Sequence, residues 1–266
     1  MSTPPPLPDP LPQASPDWRR AFGGVWRLTY PRSFSPASLG ILAGLTGLLA
    51  SIALSALRSG NAEHFAQWSI NFYLMAVVPV VAFLTAAGLV RDDLKPATVD
   101  YVLTRPVRRP AFVLYRYLSH TACLQAQCLL TLAVLVAVGV FRQVPGLATA
   151  GPSLLLAQIL AVMAFSALGF AFGAYTSRYL VIGIVYANII EMGVGNIPTQ
   201  LNRLSMTHHV RTVASGFLHQ QTGGPAQGDS LFTATSALLL FSVIFLALAA
   251  VLFSLREATG AKPKES

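Results

Sequence analysis

The stretch RDDLKPATVDYVLTRPVRRP, Arg91 to Pro110, lies between two apolar runs, residues 70–90 and 115–141, each long enough to cross a bilayer. Helix rises ~1.5 Å per residue, so ~30 Å of hydrocarbon takes ~20 residues. Four more apolar runs of that length, 36–57, 152–175, 179–198 and 231–255, flank this pair. The pattern predicts an all-α polytopic membrane protein with six transmembrane helices and both termini on one side. Composition agrees. With 54% apolar and 11% charged residues and a mean hydropathy of +0.59, the 266 residues carry more apolar surface than one soluble core can enclose.

Basic residues are retained on the cytoplasmic side during insertion, which orients the chain. With the N-terminus inside, fourteen of the 18 Lys and Arg residues fall inside, and only Arg58, Arg142, Arg203 and Arg211 fall outside. The reading is an integral protein of a plasma membrane (bacterial inner membrane) with cytoplasmic N- and C-termini. The net charge of +8 is mostly that topological signature, with membrane lipids as the natural contact for a basic surface. It does not indicate nucleic-acid binding, because no lysine-rich patch interleaved with aromatics occurs and the basic residues are spread over four separate segments. Cys123 and Cys128, five residues apart in one span, lie on different helix faces and read as small apolar fillers.

Residues 1–16, with seven prolines and no cleavable signal pattern, read as a disordered leader. The transmembrane domain covers 17–255, and 256–266 form a cytoplasmic tail. Within 17–30, Asp17 caps a helix in which Trp18, Phe22, Trp26 and Tyr30 recur every four residues, off the line of Arg19, Arg20 and Arg27. This is the pattern of an interfacial amphipathic helix, aromatics down and guanidiniums snorkelling, although an ordinary helix packed on protein has the same stripe. Pro31 and Pro36 are expected to end it. Gly40, Gly44, Gly47 and Ser51 leave one face of the first span nearly bare, open to close approach by a helix of this chain or of a second copy, and Gly169 and Gly173 repeat the pattern in the fourth. The outer loop, 199–229, holds enough apolar residues for an interfacial or re-entrant helix before a glycine-rich stretch.

From Thr98 to Leu103 the 91–110 loop has room for under two helical turns, bounded by Pro96 and Pro106. The residues alone allow a solvated basic loop, or a short rigid helix that enters a groove on a soluble partner and transmits its movement. The run resembles the cytoplasmic loop of the ABC-2 type permease family, in which an acidic segment, a threonine, a hydrophobic pair and an Arg-Pro-Val-x-Arg stretch precede the third span. Here these are Asp92 and Asp93, Thr98, Val102 and Leu103, then Arg105, Pro106, Val107 and Arg109. Ala97 replaces the usual glycine before the threonine, and Tyr115-Arg116 replaces a common Gly-Lys pair. A second patch, Leu204-Ser205-Met206-Thr207-His208-His209, is similar to the family's Leu-Ser-Pro-x-x-His element, with Met206 for the proline. The resemblance implies that 91–110 is a coupling helix docking on a separate ABC ATP-binding subunit. It also implies an exporter of two such subunits and two permease copies, a homodimer being the simplest arrangement.

The sequence has no Gly-x-x-x-x-Gly-Lys-Ser/Thr phosphate loop, so this chain is not itself expected to be an enzyme or to bind a cofactor; ATP and Mg belong to the partner subunit. Glu191 is the only carboxylate deep within an apolar run. With Asn188, three residues earlier and so on the same helical face, it reads as a substrate-path or gate contact, or as a carboxylate near the outer headgroups bonded to backbone freed by Gly193, Gly195 and Pro198. As a coupling carboxylate it would instead make the chain an ion-coupled secondary transporter. His208, His209 and His219 lack the spacing and companions of a metal site, and His120 beside Ser119 is too little for an intramembrane hydrolase. Gln125, Gln127 and Gln158 read as interhelical glue.

Overall fold

A computed structural model describes residues 17–56, 67–95, 109–144, 147–196, 200–222 and 230–260. Every regular element among them is helical. The leader 1–16 and most of the 96–110 part of the loop, including Thr98, Val102, Leu103, Arg105, Pro106 and Val107, lie outside the described residues.

Helix α1 covers Trp18–Ser33, and the Asp17 side chain accepts from the Arg19 amide as expected of its cap. The helix runs through Pro31 rather than stopping there, ending one turn later at Phe34. A proline in the last turn forfeits one hydrogen bond and leaves the rest of the helix in place. The α1 face that meets the protein carries Val25 and Thr29, while Trp18 and Tyr30 stay exposed. Phe22 sits between, edge-on to Tyr115.

Among the described residues five helices are long and apolar enough to span a membrane: α2 from Pro36, α3 (Ser69–Asp93), α4 (Arg109–Phe141), α5 from Leu147 to Tyr175, and α8 from Leu231. Helix α2 is Pro36–Ala56 and α8 is Leu231–Gly260, so α8 carries helix into the tail. Helix α3 opens as a π-helix over Ser69–Val77 and becomes α-helical at Val78. Pro79 is the physical reason: it has no N–H to give Met75 and its ring crowds that carbonyl, and widening the turn relieves both.

The fifth apolar run departs from the expected span over 179–198. It forms α6 (Tyr179–Gly193), α-helical to Tyr186 and π-helical from Ala187. At ~1.5 Å per residue this reaches only ~22 Å, short of the ~30 Å core. The chain then turns through 3-10 segments at Val194–Asn196 and Gln200–Leu204 into α7, Met206–Thr222.

Helix α5 is the axis. It packs most extensively on α3, α8 and α7, and also on α4. Small residues permit this: a Cβ at Gly169 would lie 2.6 Å from the Phe83 carbonyl oxygen, and one at Gly173 would lie 2.7 Å from that of Ala87. The expected glycine-mediated approach is therefore made by α5 against α3. On α2, by contrast, Cβ atoms at Gly40, Gly44 and Gly47 would meet nothing within 4 Å. We expect Gly173→Val to cost about 1–3 kcal/mol or more through overpacking against backbone, and Gly44→Val to leave the melting temperature of the detergent-solubilised protein unchanged.

Two apolar clusters fill the interior. One joins α3, α4, α5, α7 and α8 around Tyr73, Leu154, Val210 and Leu238; the other, nearer the ends of α3 and α5, gathers Val25, Val90, Phe112, Phe170 and Phe253. The glutamines tie helices together as expected. Gln125 donates to the Ile159 carbonyl at 2.9 Å, Gln127 to that of Ser33 at 2.6 Å, and Gln158 lies 2.8 Å from the Tyr73 hydroxyl. Cys123 and Cys128 are buried and unbridged. On the outside, Ile41, Phe232, Leu240 and Val243 are exposed, a surface suited to lipid rather than water.

Candidate functional site at the roots of the loop

The chain leaves the bundle for the loop at the end of α3 and returns at the start of α4. Asp93, in the last turn of α3, is buried. Its two carboxylate oxygens accept from Nε and Nη2 of Arg116, both at 2.8 Å, a bidentate fork. The remaining Arg116 nitrogen, Nη1, donates at 2.8 Å to the Thr29 hydroxyl of α1, which itself donates to the Val25 carbonyl at 2.9 Å. Both charged side chains are less than a tenth exposed. Such a pair, cut off from water, holds its geometry because either charge left alone would be costly.

Asp92 faces outward. It pairs with Arg32, at the end of α1, and with Lys95 at 2.7 Å. Arg109, the first residue of α4, is exposed. Of the residues expected to contact a partner, Asp92 and Arg109 are thus at the surface, whereas Asp93 is enclosed and works on the bundle side of it. Three helices, α1, α3 and α4, are latched to one another within a few residues of both roots of the loop.

From charge distribution alone Arg116 is indistinguishable from the other basic residues on the side of the loop. The signal that identifies it is its depth: it stands about two turns into an apolar helix, where a charge needs a partner, and Asp93 ends the preceding span.

Glu191 forms a separate centre. It is buried, while Asn188 is exposed and donates to the Ile184 carbonyl at 2.8 Å. The expected common face fails because the segment is π-helical, and on that wider turn residues three apart no longer stack. The Glu191 carboxylate lies across the start of α7. Its oxygens accept from the Tyr186 hydroxyl at 3.0 Å, the Ser205 hydroxyl at 2.7 Å, and the Met206 and Thr207 amides at 3.2 and 2.9 Å; the Thr207 hydroxyl is 2.8 Å away. Ser205 is the N-cap of α7, accepting from the His208 amide at 3.1 Å. Met206 therefore occupies the first helical position, the place where proline is favoured. A Cβ on Gly195 would lie 2.7 Å from the Ser205 hydroxyl oxygen, so a glycine there lets the chain fold back. The backbone groups that satisfy Glu191 are those opening the next helix, not those freed by the glycines of its own.

His209 is buried and its Nε2 lies 2.9 Å from the Arg203 carbonyl, so that nitrogen carries the proton. Among the described residues no three His, Cys, Asp or Glu side chains gather as a metal site requires.

Compared with known proteins, the chain matches no family model, and no curated protein is similar to it.

Proposed function

We propose that this chain is the membrane subunit of an ATP-driven exporter of the ABC-2 type, moved by a separate ATP-binding subunit that docks on residues 92–110 from the cytoplasm. The observation that carries the reading is the latch at the roots of the loop. A force applied to a free loop would be lost in bending. Applied between Lys95 and Arg109, it reaches α3 and α4 through the Asp93–Arg116 fork and α1 through Thr29 and Arg32, and α3 hands it to the central helix α5 through the Gly169 and Gly173 contacts.

In this reading Asp92, Thr98, Val102, Leu103, Arg105, Pro106, Val107 and Arg109 form the docking surface, and Asp93 positions it from behind. Helix α1 lies at the inner interface, with Trp18 and Tyr30 in the headgroup layer. The α6 segment completes a six-pass topology as a short, interrupted helix, with both termini inside. A second copy supplies the other half of the transport path, and the bare Gly40–Gly47 face of α2 is available to it.

An ion-coupled transporter driven by Glu191 is less well supported, because five protein donors already surround that carboxylate and fix it to a helix start.

The docking reading is tested by labelling. In native membrane vesicles, a cysteine replacing Asp100 is expected to react with an impermeant thiol reagent only in inside-out vesicles, and to be shielded until Arg105 and Arg109 are both changed to glutamate. Labelling from the exterior face, or equal reactivity with and without those two changes, contradicts it.

A further inference from the structure

Helix α2 leans on α4 and barely touches α3, so a slot remains between α2 and α3, floored by α4. It encloses about 430 Å³, within the range of about 300–1,000 Å³ that holds small-molecule ligands. A smaller hollow of about 30 Å³ continues it, sharing Leu42, Leu45, Val81 and Leu124 and ending at Tyr73 and Thr131. From Gly88 at the mouth to Tyr73 at the end is roughly 20 Å along α3.

The slot is polarised along its length. Its mouth holds Arg32, Ser33 and Ser38, where α1 turns into α2; Thr85 and His120 follow, and the deeper walls are Leu and Val with Gln127 to one side. The mouth is also positively charged. Among the described residues, Arg32 and the adjacent Lys95 share the single carboxylate of Asp92, a surplus of one positive charge beside the mouth. At the open side of the slot its own lining residues Ile41 of α2 and Leu84 of α3 are exposed, as is Leu48 further along α2, so its opening faces whatever apolar medium bathes those helices. Nothing water-soluble fits all three properties at once.

We propose that the slot is a binding site for an anionic membrane phospholipid of the inner leaflet, one acyl chain lying along Leu42, Leu45, Val81 and Leu124 and the phosphate meeting the Arg32 guanidinium. Charge complementarity selects the head and length selects the chain. A chain filling this space also props α2 apart from α3, which makes occupancy a condition for the spacing of these helices. The site goes beyond the proposed docking function and needs no ATP-binding partner; its assignment to the inner leaflet rests on the orientation proposed there.

The test uses the full chain in nanodiscs without any ATP-binding protein, so its outcome is independent of the loop. The probe is phosphatidylglycerol carrying a photoreactive diazirine near the end of one acyl chain. Cross-links are expected on peptides containing Leu42–Leu45, Val77–Val81 and Leu124–Cys128. Val81→Trp, or Leu45→Trp should the first fail to fold, is expected to cut that labelling about tenfold, the equivalent of ~1.4 kcal/mol of affinity, while labelling of α8 around Val243 stays constant. Phosphatidylcholine with the same tail should label the slot several-fold less. Labelling spread evenly over all lipid-facing helices, slot labelling that survives both tryptophans in folded protein, equal labelling by the two headgroups, or labelling only by a free photoreactive fatty acid each overturns the proposal.

Discussion

Asp93→Ala is expected to cost about 3–5 kcal/mol of stability, and Arg116→Ala a similar amount, because each leaves the other's charge buried without its partner. Thermal or denaturant unfolding of the detergent-solubilised subunit measures this. The double replacement Asp93→Leu with Arg116→Met removes both charges and restores apolar contact, so it should be milder than either single change. Asp93→Asn keeps the shape and one acceptor, yet sets an amide N–H₂ against the guanidinium, and should fall between parent and alanine. Single alanine variants that melt within about 0.5 kcal/mol of the parent, the range of ordinary surface changes, would remove the latch from the account. The proposed function separates this effect from docking: changes at Arg105 and Arg109 should weaken partner binding while leaving the melting temperature alone, whereas changes at Asp93 and Arg116 should do the reverse first and lose coupling as a consequence.

Glu191→Ala is the second large effect. A carboxylate gathering hydroxyls and the first amides of α7 contributes through charge-assisted bonds, each worth about 1.5–3 kcal/mol, so losing it should cost at least about 3 kcal/mol. It should also release the chain between α6 and α7 to proteolysis. Glu191→Gln discriminates between roles. If Glu191 holds α7, the glutamine is damaging too, because its amide nitrogen becomes a donor facing donors at either position, Tyr186 and Met206 in place of Oε1 or Ser205 and Thr207 in place of Oε2. If Glu191 is a proton-coupling group, the glutamine mimics its protonated state and leaves a folded, transport-locked protein. A Glu191→Gln variant as stable as the parent would favour the second role.

Hydropathy made most of the fold legible. The ends of α2, α3 and α8 fall within a few residues of the apolar runs, since span length is dictated by the bilayer rather than by local propensity. The close glycines on α5 were readable for the same reason: small residues at helical spacing on a span are there to admit another helix. Two things were not readable. Periodicity assumes the α-turn, so the π-turn that separates Asn188 from Glu191 and shortens α6 left no mark in the pattern. The partners of Asp93, and all but Tyr186 of those of Glu191, come from the helix that follows in the chain, and only the expense of a charge at membrane depth announced that partners must exist. Arg116 could have been found by that reasoning, as could Ser205, whose place before a Met-Thr-His run is a helix start. The slot between α2 and α3 could not, because it depends on how far apart two apolar helices stand.

The central claim is that a separate ATP-hydrolysing protein works on this chain through its 92–110 loop. The most direct measurement is to capture the full-length chain from its native membrane in mild detergent and assay the captured material for Mg-dependent ATPase activity, beside the same chain carrying Arg105→Glu and Arg109→Glu. The account predicts activity with the parent chain and about tenfold less, roughly 1.4 kcal/mol of lost association, with the variant at equal membrane insertion. Activity that is absent from both, or equal in both, contradicts it.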